Sequence, residues 1–542
     1  MLAARAVGLA LAGAGVDQVF GVVGSGNFHL ANALIEGGAR FAAARHEGGA
    51  ATMADAYARV CGRPAAVTVH QGCGLTNALT GIAEAAKSRT PMVVLAAEAD
   101  SPHSNFHVDQ AALARAVGAV PRRLTDPRTA AAEAVDAVAT AVHERRTVLL
   151  NLPLGLQAQD CPPPGALSLP PPPAPLEPAG DEVARLAEAV GRAERPVFVA
   201  GRGARGYAAE LRAVAARSGA LLAESAVAKG LFHDDPWGIG VSGGFSSPTT
   251  AELIGGADLI VGWGCALNMW TMRHGKLIAP GAVVVQVDDT AAALGAHREL
   301  AFGVHGDVGR TAAALTAALP ADRSGYRTAQ VRERLRAGTA WRDEPRTDLT
   351  ASGRIDPRTL CVGLDDLLPA ERLVAVDSGN FMGYPSMFLS VPDEAGFCFT
   401  QAFQSIGLGL ATAIGAAHAR PDRLTVAALG DGGALMAAAE LESVVRLGLP
   451  MLVVVFNDAA YGAEVHHFAP GGHRMDTVAF PDTDFAAIGR GYGFEAVTVR
   501  SRGDLDGVAE WLAGPRRGPM LIDAKVVNDT GAWWLEEAFR GH

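Results

Sequence analysis

Short apolar runs rich in valine, leucine and isoleucine alternate with alanine-rich stretches along all 542 residues. The runs fall into three blocks: VFGVVG, AAVTVH, MVVLAA and TVLLNLP; then VFVAG, ALLAES, DLIVGWG and AVVVQVD; then LVAVDSG, LTVAALGDGG, MLVVVFND and MLIDAKV. Continuous apolar strands separated by helices are typical of parallel sheets that helices cover on both faces. The sequence therefore predicts an α/β protein with three doubly wound parallel-sheet domains.

Two segments separate the three blocks. Residues 161–180 carry a proline-rich run that can continue neither a helix nor a central strand, and we interpret this run as a stiff linker. Residues 321–356 are polar and form a second linker, with one expected helix at 329–340. The expected domains are residues 1–160, 181–320 and 357–542.

Composition and charge argue against several classes of protein. The chain has 46 Lys and Arg residues against 57 Asp and Glu residues, a net charge of −11. A nucleic-acid partner is not expected, because binding to nucleic acid requires a clustered basic face on the protein. No uncharged apolar run reaches about 18 residues, so we expect no membrane-spanning helix. Six scattered cysteines without a CxxC pair predict a reducing compartment, the cytoplasm.

The apolar start of the chain has the composition of a secretory signal. Arg5 interrupts it, and it continues directly into the apolar run VDQVFGVVG. We therefore interpret it as the first helix and strand of the fold.

The third block contains the most specific motif. An apolar strand ends in Gly430-Asp431-Gly432-Gly433, a helix follows, and the next apolar strand ends at Asn457. If the strands are neighbours, Asp431 and Asn457 lie side by side and offer the oxygen ligands that Mg²⁺ prefers. The glycines let the backbone approach a diphosphate.

This strand–GDGG–helix–strand–Asn unit resembles the diphosphate motif of the thiamine diphosphate (ThDP)-dependent enzymes of the acetolactate synthase, benzoylformate decarboxylase and pyruvate decarboxylase type. The resemblance covers nearly the whole chain. It implies a pyrimidine-binding domain, a central Rossmann-like domain and a diphosphate-binding domain, in that order. It also implies a Mg²⁺ ion held by Asp431, Asn457 and the carbonyl of Ala459.

Further cofactor residues follow from the same resemblance. In FQSIGLGLATAIGA, Ile406 would prop the cofactor in its bent form and Gly407 would offer its carbonyl to the 4′-amino group. Asn380 in VDSGN stands where acetolactate synthases have Gln. The remaining cofactor-binding residues that it implies are Ser405, Gly430, Gly432, Gly433, Ala460, Tyr461 and Gly462.

Glu47 is the candidate acid that activates the cofactor. HEGGAATMADAYAR resembles the family segment in which one Glu contacts N1′ of the aminopyrimidine, although local chemistry alone fits a helix N-terminal acid equally well. The resemblance implies that Glu47 favours the imino tautomer that removes the C2 proton. Glu47 and Asp431 lie in different domains, which in the family meet across a subunit interface. A homo-oligomer, a dimer or a dimer of dimers, is therefore implied.

The implied reaction is non-oxidative decarboxylation of a small 2-oxo acid through a C2 ylid and an enamine, carboligation as in acetolactate synthases, or both. The candidate catalytic residues besides Glu47 are Ser25, His70, Gln71 and Glu464. His70 could instead be a core histidine, with Gln71 facing the thiazolium, and Glu464 could be only a helix cap. An acyloin lyase or carboligase and an inactive ThDP-binding paralogue are the alternatives.

Two segments bordering the expected pocket leave alternatives open. SNFHVDQ, residues 104–110, offers Asn105 or His107 where acetolactate synthases carry an active-site Gln. The C-terminal segment NDTGAWWLEEAFRGH is expected to form a lid, in which Trp533 and Trp534 could close on substrate or pack, with packing favoured for one of them.

The second block carries a literal G-x-G-x-x-G at 201–206, and Glu224 ends the next apparent strand. Alone, this pattern predicts a nicotinamide dinucleotide site. No hydride-transfer residues accompany it, and the resemblance implies a central domain whose Gly-rich turn often has no ligand. FAD stays open as a ligand without a required role, as in acetolactate synthases. Arg202 and Arg205 could serve a nucleotide or an effector, or be surface charges.

Overall fold

The computed structural model describes residues 1–165, 167–320, 322–515, 518–528 and 531–536. Its strands form three six-stranded sheets in which every neighbouring pair is parallel. This confirms the predicted α/β class with three doubly wound sheets.

The N-terminal sheet has the order β2-β1-β3-β4-β6-β5. Its strands are β1 Gln18–Gly21, β2 Arg40–Ala43, β3 Ala65–Val69, β4 Met92–Glu98, β5 Val120–Arg123 and β6 Thr147–Pro153. Its helices are α1 Ala3–Gly13, α2 Phe28–Glu36, α3 Glu47–Cys61, α4 Cys73–Lys87, α5 Gln110–Ala116, α6 Ala130–His143 and α7 Leu154–Gln157. In β4, Val93 and Leu95 pack with the cluster under α1 and α6, whereas Met92 and Val94 pack with the cluster under α3 and α4. Helices therefore cover both faces of this sheet.

The central sheet has the order β12-β11-β10-β7-β8-β9. Its strands are β7 Pro196–Ala200, β8 Leu221–Glu224, β9 Gly238–Val241, β10 Leu259–Trp263, β11 Val283–Asp288 and β12 Phe302–His305. Its helices are α8 Gly180–Arg192, α9 Ala208–Ser218, α10 Pro248–Gly255 and α11 Val308–Ala318. The helix expected at 329–340 is α12 Ala329–Ala337 and ends earlier, because Gly338 takes the positive φ of +115°.

The C-terminal sheet has the order β14-β13-β15-β16-β18-β17. Its strands are β13 Arg372–Val376, β14 Phe397–Phe399, β15 Leu424–Gly430, β16 Leu452–Asn457, β17 Glu495–Val499 and β18 Met520–Lys525. Its helices are α13 Pro357–Leu367, α14 Gly383–Phe388, α15 Gly409–Ala419, α16 Asp431–Met436, α17 Glu440–Arg446, α18 Gly462–Phe468, α19 Phe485–Tyr492, α20 Asp506–Ala513 and α21 Trp533–Glu536.

The N-terminal and C-terminal domains share one hydrophobic core within the protomer. Helix α3 packs on α15 so closely that a Cβ at Gly415 would lie 2.1 Å from the carbonyl oxygen of Met53. Tyr57 and Ile414 are fully buried in this shared core. The contact fixes the start of α3, where Glu47 lies, relative to the C-terminal sheet.

Among the described residues, none of the helices combines the length and apolar character needed to cross a membrane. All six cysteines are free thiols.

Candidate active site

The carboxyl edge of the C-terminal sheet brings two predicted residues together. Strands β15 and β16 are parallel neighbours in which Gly430 lies beside Phe456. Asp431 and Asn457 therefore follow at adjacent positions, as the spacing predicts.

The side chain of Asn457 nevertheless does not face Asp431. It is fully buried, and its Nδ2 donates to Asp523 Oδ1 at 3.0 Å and to the Thr483 carbonyl at 2.9 Å. Its Oδ1 accepts from Ala459 N at 3.2 Å. The carbonyl of Ala459 accepts from Phe480 N at 2.8 Å. The Asn457 side chain is thus engaged in a buried network behind the strand end, because the Asp523 carboxylate on β18 needs donors, and the Ala459 carbonyl is engaged by Phe480.

Asp458, the next residue, faces Asp431 instead, and the sequence analysis missed it. Burial, followed by the negative charge of Asp431, raises the pKa of Asp458 to about 7. Burial also raises the pKa of Asp431 to about 6. Asp431, Asp458 and Ala460 line the same cavity. The predicted ligands Asn457 and Ala459 are not among the residues that line this cavity, whereas Asp458 and Ala460, each one position further along the chain, are.

The fit to a divalent cation depends on this carboxylate pair. Among the described residues, no group of three or more His, Cys, Asp or Glu side chains could hold a metal ion. Mg²⁺ usually takes only one or two carboxylates and completes its octahedron with phosphate and water oxygens. Two facing carboxylates with raised pKa values match that requirement, since a cation between them would offset their repulsion.

Four predicted glycines form a cradle beside this pair. A Cβ at Gly432 would lie 2.4 Å from the Tyr461 ring, and a Cβ at Gly462 would lie 2.4 Å from Asp458 Oδ2. At Gly430 and Gly433 the added Cβ would approach the Phe381 ring to 3.1 Å and Asp377 Oδ2 to 2.3 Å. Larger residues would collide with these side chains, so only glycine lets the backbone pass this close to the carboxylates, as a turn that receives a diphosphate requires.

The loop between β14 and α15 carries the other predicted cofactor residues. Ser405 Oγ donates to the Ile406 carbonyl at 3.1 Å, and Ile406 lines the cavity. Gly407 has a φ of +85°, and its N–H donates to Asp377 Oδ2 at 3.0 Å. Burial raises the pKa of Asp377 to about 6. Asp377 was not predicted, although it directly follows strand β13.

Asn380 and Glu464 border the same cavity. Asn380 Oδ1 accepts from Ala532 N at 3.3 Å, which ties it to the C-terminal segment. Glu464 lies in the first turn of α18.

The predicted lid, residues 528–542, lies partly outside the described residues. Trp534 is buried and lines the cavity, and a Cβ at Gly383 would lie 2.3 Å from its ring. The ring of Tyr384 meets it edge-on with centroids 5.0 Å apart. Trp533 also packs, with its ring centroid 5.9 Å from that of Trp341, so both tryptophans pack and Trp534 is the one that lines the cavity.

Glu47 opens helix α3, following the short strand β2 as predicted. Its Oε2 accepts from Asn77 Nδ2 at 3.0 Å. The chain just before it is held by Glu440 of the C-terminal domain, whose Oε1 accepts from Arg45 N and His46 N, both at 3.0 Å. Sequence reasoning missed Glu440, because its partners are backbone amides of another domain.

Ser25, His70 and Gln71 lie together at the carboxyl edge of the N-terminal sheet. Ser25 Oγ is 3.3 Å from His70 Nε2. Gln71 is buried, and a Cβ at Gly26 would lie 1.8 Å from its Oε1. Phe106 meets the His70 ring edge-on at 5.1 Å. In the loop expected to offer Asn105 or His107, Phe106 is thus the residue in contact with His70.

One cavity of about 1480 Å³ runs from the GDGG cradle to the Gly-rich turn of the central domain. Asp431 and Glu464 line it, whereas Glu47, Ser25 and His70 do not. Within one protomer the candidate residues therefore form two separate groups: an N-terminal group containing Glu47 and a C-terminal group containing Asp431.

In the central domain, the acid predicted to bind a ribose near the Gly-rich turn is bound to backbone amides instead. Glu224 is buried, and its carboxylate accepts from Gly230 N at 2.8 Å and Phe232 N at 3.1 Å. Arg202 and Arg205 line the cavity and donate to backbone carbonyls of Ser88 and Arg59 in the N-terminal domain. The nicotinamide interpretation thus loses its ribose-binding acid.

Models of thiamine pyrophosphate enzymes match three parts of the chain. The N-terminal TPP binding domain matches residues 1–116, the central domain 183–315 and the C-terminal TPP binding domain 377–524.

Two relatives and one solved structure resemble nearly the whole chain. A sulfoacetaldehyde acetyltransferase of Alcaligenes xylosoxydans xylosoxydans is 27% identical over 521 residues, covering 90% of this chain and 86% of the relative. The acetolactate synthase large subunit of Parasynechococcus marenigrum is 28% identical over 538 residues, covering 94% and 85%. A Rhodococcus jostii RHA1 thiamine diphosphate-dependent 4-hydroxybenzoylformate decarboxylase superposes with a TM-score of 0.82 at 22% identity, over 97% of this chain and 99% of that one. This last likeness shows the shared fold.

Proposed function

The chain belongs to the thiamine pyrophosphate enzyme family, and from that membership we propose a ThDP- and Mg²⁺-dependent enzyme acting on a small 2-oxo acid. The reaction is non-oxidative decarboxylation, carboligation of the acyl unit to a second carbonyl, or both. The observation that carries the proposal is that the carboxylates of Asp431 and Asp458 line one cavity beside a glycine cradle.

In this proposal the C-terminal group holds the cofactor. Asp431, Asp458 and the carbonyl of Ala460 would hold Mg²⁺, the glycine cradle would receive the diphosphate, and Ile406 and Gly407 would receive the aminopyrimidine. When bound, thiamine diphosphate supplies a carbon nucleophile for the 2-oxo carbonyl and a sink for the electron pair that departing CO₂ leaves.

The N-terminal group handles protons. Glu47 shares a proton with a ring nitrogen of the aminopyrimidine, and its bond from Asn77 orients the carboxylate for this role. His70, paired with Ser25 at 3.3 Å, binds the substrate carboxylate or carbonyl oxygen. Gln71 lies deeper and shapes the floor of this group. Glu464 protonates or orients the reacting carbon from the C-terminal side.

The two groups act together only if a second copy of the chain joins them, so we propose a homo-oligomer, a dimer or a dimer of dimers. Large apolar side chains exposed beside each group support this arrangement. Phe28 is 54% exposed next to the N-terminal group, and Met436 is 64% exposed next to Gly407. Exposed apolar surface of this kind is typical of an interface. Six free cysteines fit the cytoplasm as the compartment.

The relatives favour chemistry on an acyl unit, since one is named an acetyltransferase and another an acetolactate synthase. Product analysis separates the branches. The enzyme with ThDP and Mg²⁺ is given pyruvate and a panel of 2-oxo acids, with and without an aldehyde acceptor. An aldehyde product indicates decarboxylation, and acetolactate or a mixed acyloin indicates carboligation.

Glu47→Gln tests the mechanism in the same assay. Loss of a positioned general acid–base costs about 10²- to 10⁴-fold in kcat, and we expect a loss in that range. Glu442→Gln, which removes an ion pair between the same two domains, serves as the control and should keep wild-type kcat. No turnover of any 2-oxo acid by the wild-type enzyme would indicate an inactive ThDP-binding paralogue. Wild-type activity in Glu47→Gln would refute the mechanism.

A further inference from the structure

The nine residues 400–408 between β14 and α15, termed here the cofactor loop, contain Ile406 and Gly407. The loop is neither helix nor strand over this range. Gln404 has a φ of +61°, in the left-handed region that side chains other than glycine rarely adopt. A conformation of this kind persists only where the surroundings over-determine it.

One end of the cofactor loop is held from its own domain. The buried Asp377 accepts from Gly407 N at 3.0 Å and from Leu408 N at 3.2 Å. Gly433 makes this possible, since a Cβ there would lie 2.3 Å from Asp377 Oδ2. This contact ties the cofactor loop to the GDGG turn.

The other end is held from the N-terminal domain. Glu84 on α4 is fully buried, and its two carboxylate oxygens accept from Ala402 N at 3.0 Å and Phe403 N at 2.6 Å. Ala402 and Phe403 are themselves exposed. The loop surface is therefore open to solvent, while its backbone is fastened to a buried carboxylate.

A buried cation stabilises Glu84 in this position. Arg59 Nη2 is 2.7 Å from Glu84 Oε1 and 2.7 Å from Asp55 Oδ2. Arg59 Nη1 also donates to the carbonyl of Phe399, the last residue of β14, at 3.1 Å. Arg59 thus holds the chain just before the loop, at Phe399. Glu84 holds it within the loop, at Ala402 and Phe403. Buried charged groups of this kind are costly to leave without partners, which keeps the Glu84 carboxylate directed at the loop.

We propose that Glu84 is a positioning residue for the cofactor: from the N-terminal domain it fixes the backbone of the cofactor loop, and so sets where Ile406 meets the aminopyrimidine. The inference rests on the proposed function for the identity of the cofactor. Glu84 and Asp377 act as two clamps, one from each domain, with Gln404, Ser405 and Ile406 between them.

Hydrogen–deuterium exchange of the cofactor-free protein tests the clamp without the cofactor. Glu84→Gln keeps the size of the side chain but directs an amide NH₂ at a backbone N–H and removes the charge that Arg59 neutralises. Exchange of the peptide over 400–408 should accelerate at least about tenfold, with other peptides unchanged. Glu442→Gln is the control, and its loop should exchange at the wild-type rate.

A second variant covers the case in which Glu84→Gln does not fold. Phe403→Pro removes one N–H donor from the exposed loop and leaves the buried ion pairs complete. The same acceleration is expected. A loop that exchanges at the wild-type rate in either folded variant would overturn the proposal.

Calorimetric titration with ThDP and Mg²⁺ tests the consequence for the cofactor. Glu84→Gln should weaken ThDP binding at least about tenfold. In a protein that already carries Ile406→Ala, Glu84→Gln should weaken ThDP binding little further, because both substitutions act through one contact. Additive losses would contradict positioning through Ile406. If the wild-type protein takes up no ThDP, the proposed function fails, whereas the exchange result still decides whether Glu84 holds the loop.

Discussion

Two Gly-rich turns line one cavity, and they differ in the charge of the side chains beside them. The turn at 201–206 follows β7 of the central sheet, and the turn at 430–433 follows β15 of the C-terminal sheet. Both have the glycine spacing that allows a close approach of backbone. Glycine spacing alone therefore does not distinguish a ligand site from a structural turn.

The neighbouring side chains do distinguish them. The C-terminal turn presents Asp431 and Asp458, two carboxylates whose pKa values burial raises to about 6 and about 7. The central turn presents Arg202 and Arg205, which fasten it to backbone carbonyls of the N-terminal domain. In the proposed function the first arrangement binds a metal–diphosphate, whereas the second holds two domains together.

The largest effect should come from Asp431→Asn. Removing one partner of a buried charged site costs about 3–5 kcal/mol, so ThDP affinity in the presence of Mg²⁺ should fall by more than about 100-fold. Asp288→Asn is the matched control, since Asp288 ends strand β11 of the central domain and lines the same cavity. It should bind ThDP like the wild type in calorimetry. Equal losses in both variants would remove the distinction between the two turns.

Asp458→Ala and Asn457→Ala should separate ligand binding from stability. Loss of a charged ligand costs about 1.5–3 kcal/mol, so Asp458→Ala should weaken Mg²⁺-dependent ThDP binding about 10- to 100-fold. Asn457→Ala leaves Asp523 short of a donor and should lower the free energy of unfolding by about 1–3 kcal/mol. Calorimetry and denaturant unfolding measure the two effects. If Asn457→Ala weakens ThDP binding and Asp458→Ala lowers only stability, the metal site lies at Asn457.

The pH dependence of metal stabilisation should reflect the same pair. The folded pKa values of about 6 and about 7 for Asp431 and Asp458 lie above the unfolded value of about 3.9. The folded metal-free protein therefore binds more protons, and its stability from these groups falls as pH rises from about 4 to about 7. Mg²⁺ binds the deprotonated pair, so the rise in Tm that Mg²⁺ and ThDP cause should grow over this window and then level off. In Asp458→Asn, the part of this rise that occurs near pH 7 should be lost. A rise in Tm that is independent of pH in the wild-type protein would contradict the prediction.

The smallest effect on ThDP binding should come from Arg202→Met. Arg202 lines the cavity and donates to the Ser88 carbonyl of the N-terminal domain, so its replacement should lower the free energy of unfolding by no more than about 1.5–3 kcal/mol, the contribution of one charged hydrogen bond. Thermal unfolding should stay within that limit, and ThDP affinity within about twofold of the wild type. A tenfold loss of ThDP affinity would place the central turn in the cofactor site.

Much of the fold was predictable, because burial on both faces makes each strand continuously apolar. Asp431 was predictable too, since it follows such a strand and is flanked by glycines. The partner of Asp431 was not, because side chains at successive positions after a strand point to opposite sides. Whether Asn457 or Asp458 faces the cavity depends on Asp523, a buried carboxylate on another strand.

Long-range positioning was also beyond sequence reasoning. Glu84 lies on a helix without a motif, Glu440 lies between GDGG and Asn457 at a position to which the motif gives no role, and each holds backbone amides of the other domain. Every residue except proline has a backbone N–H, so the sequence does not indicate which of them will bind a given carboxylate. Asp377 differs, since its place directly after a strand was a signal that could have been used.

The most direct test of the account is calorimetric titration of the purified wild-type protein with ThDP, with and without Mg²⁺. The account predicts saturable uptake of one ThDP per chain that requires Mg²⁺. Absence of uptake with Mg²⁺ present, or equal uptake without any divalent cation, would contradict the claim that Asp431 and Asp458 form a metal–diphosphate site.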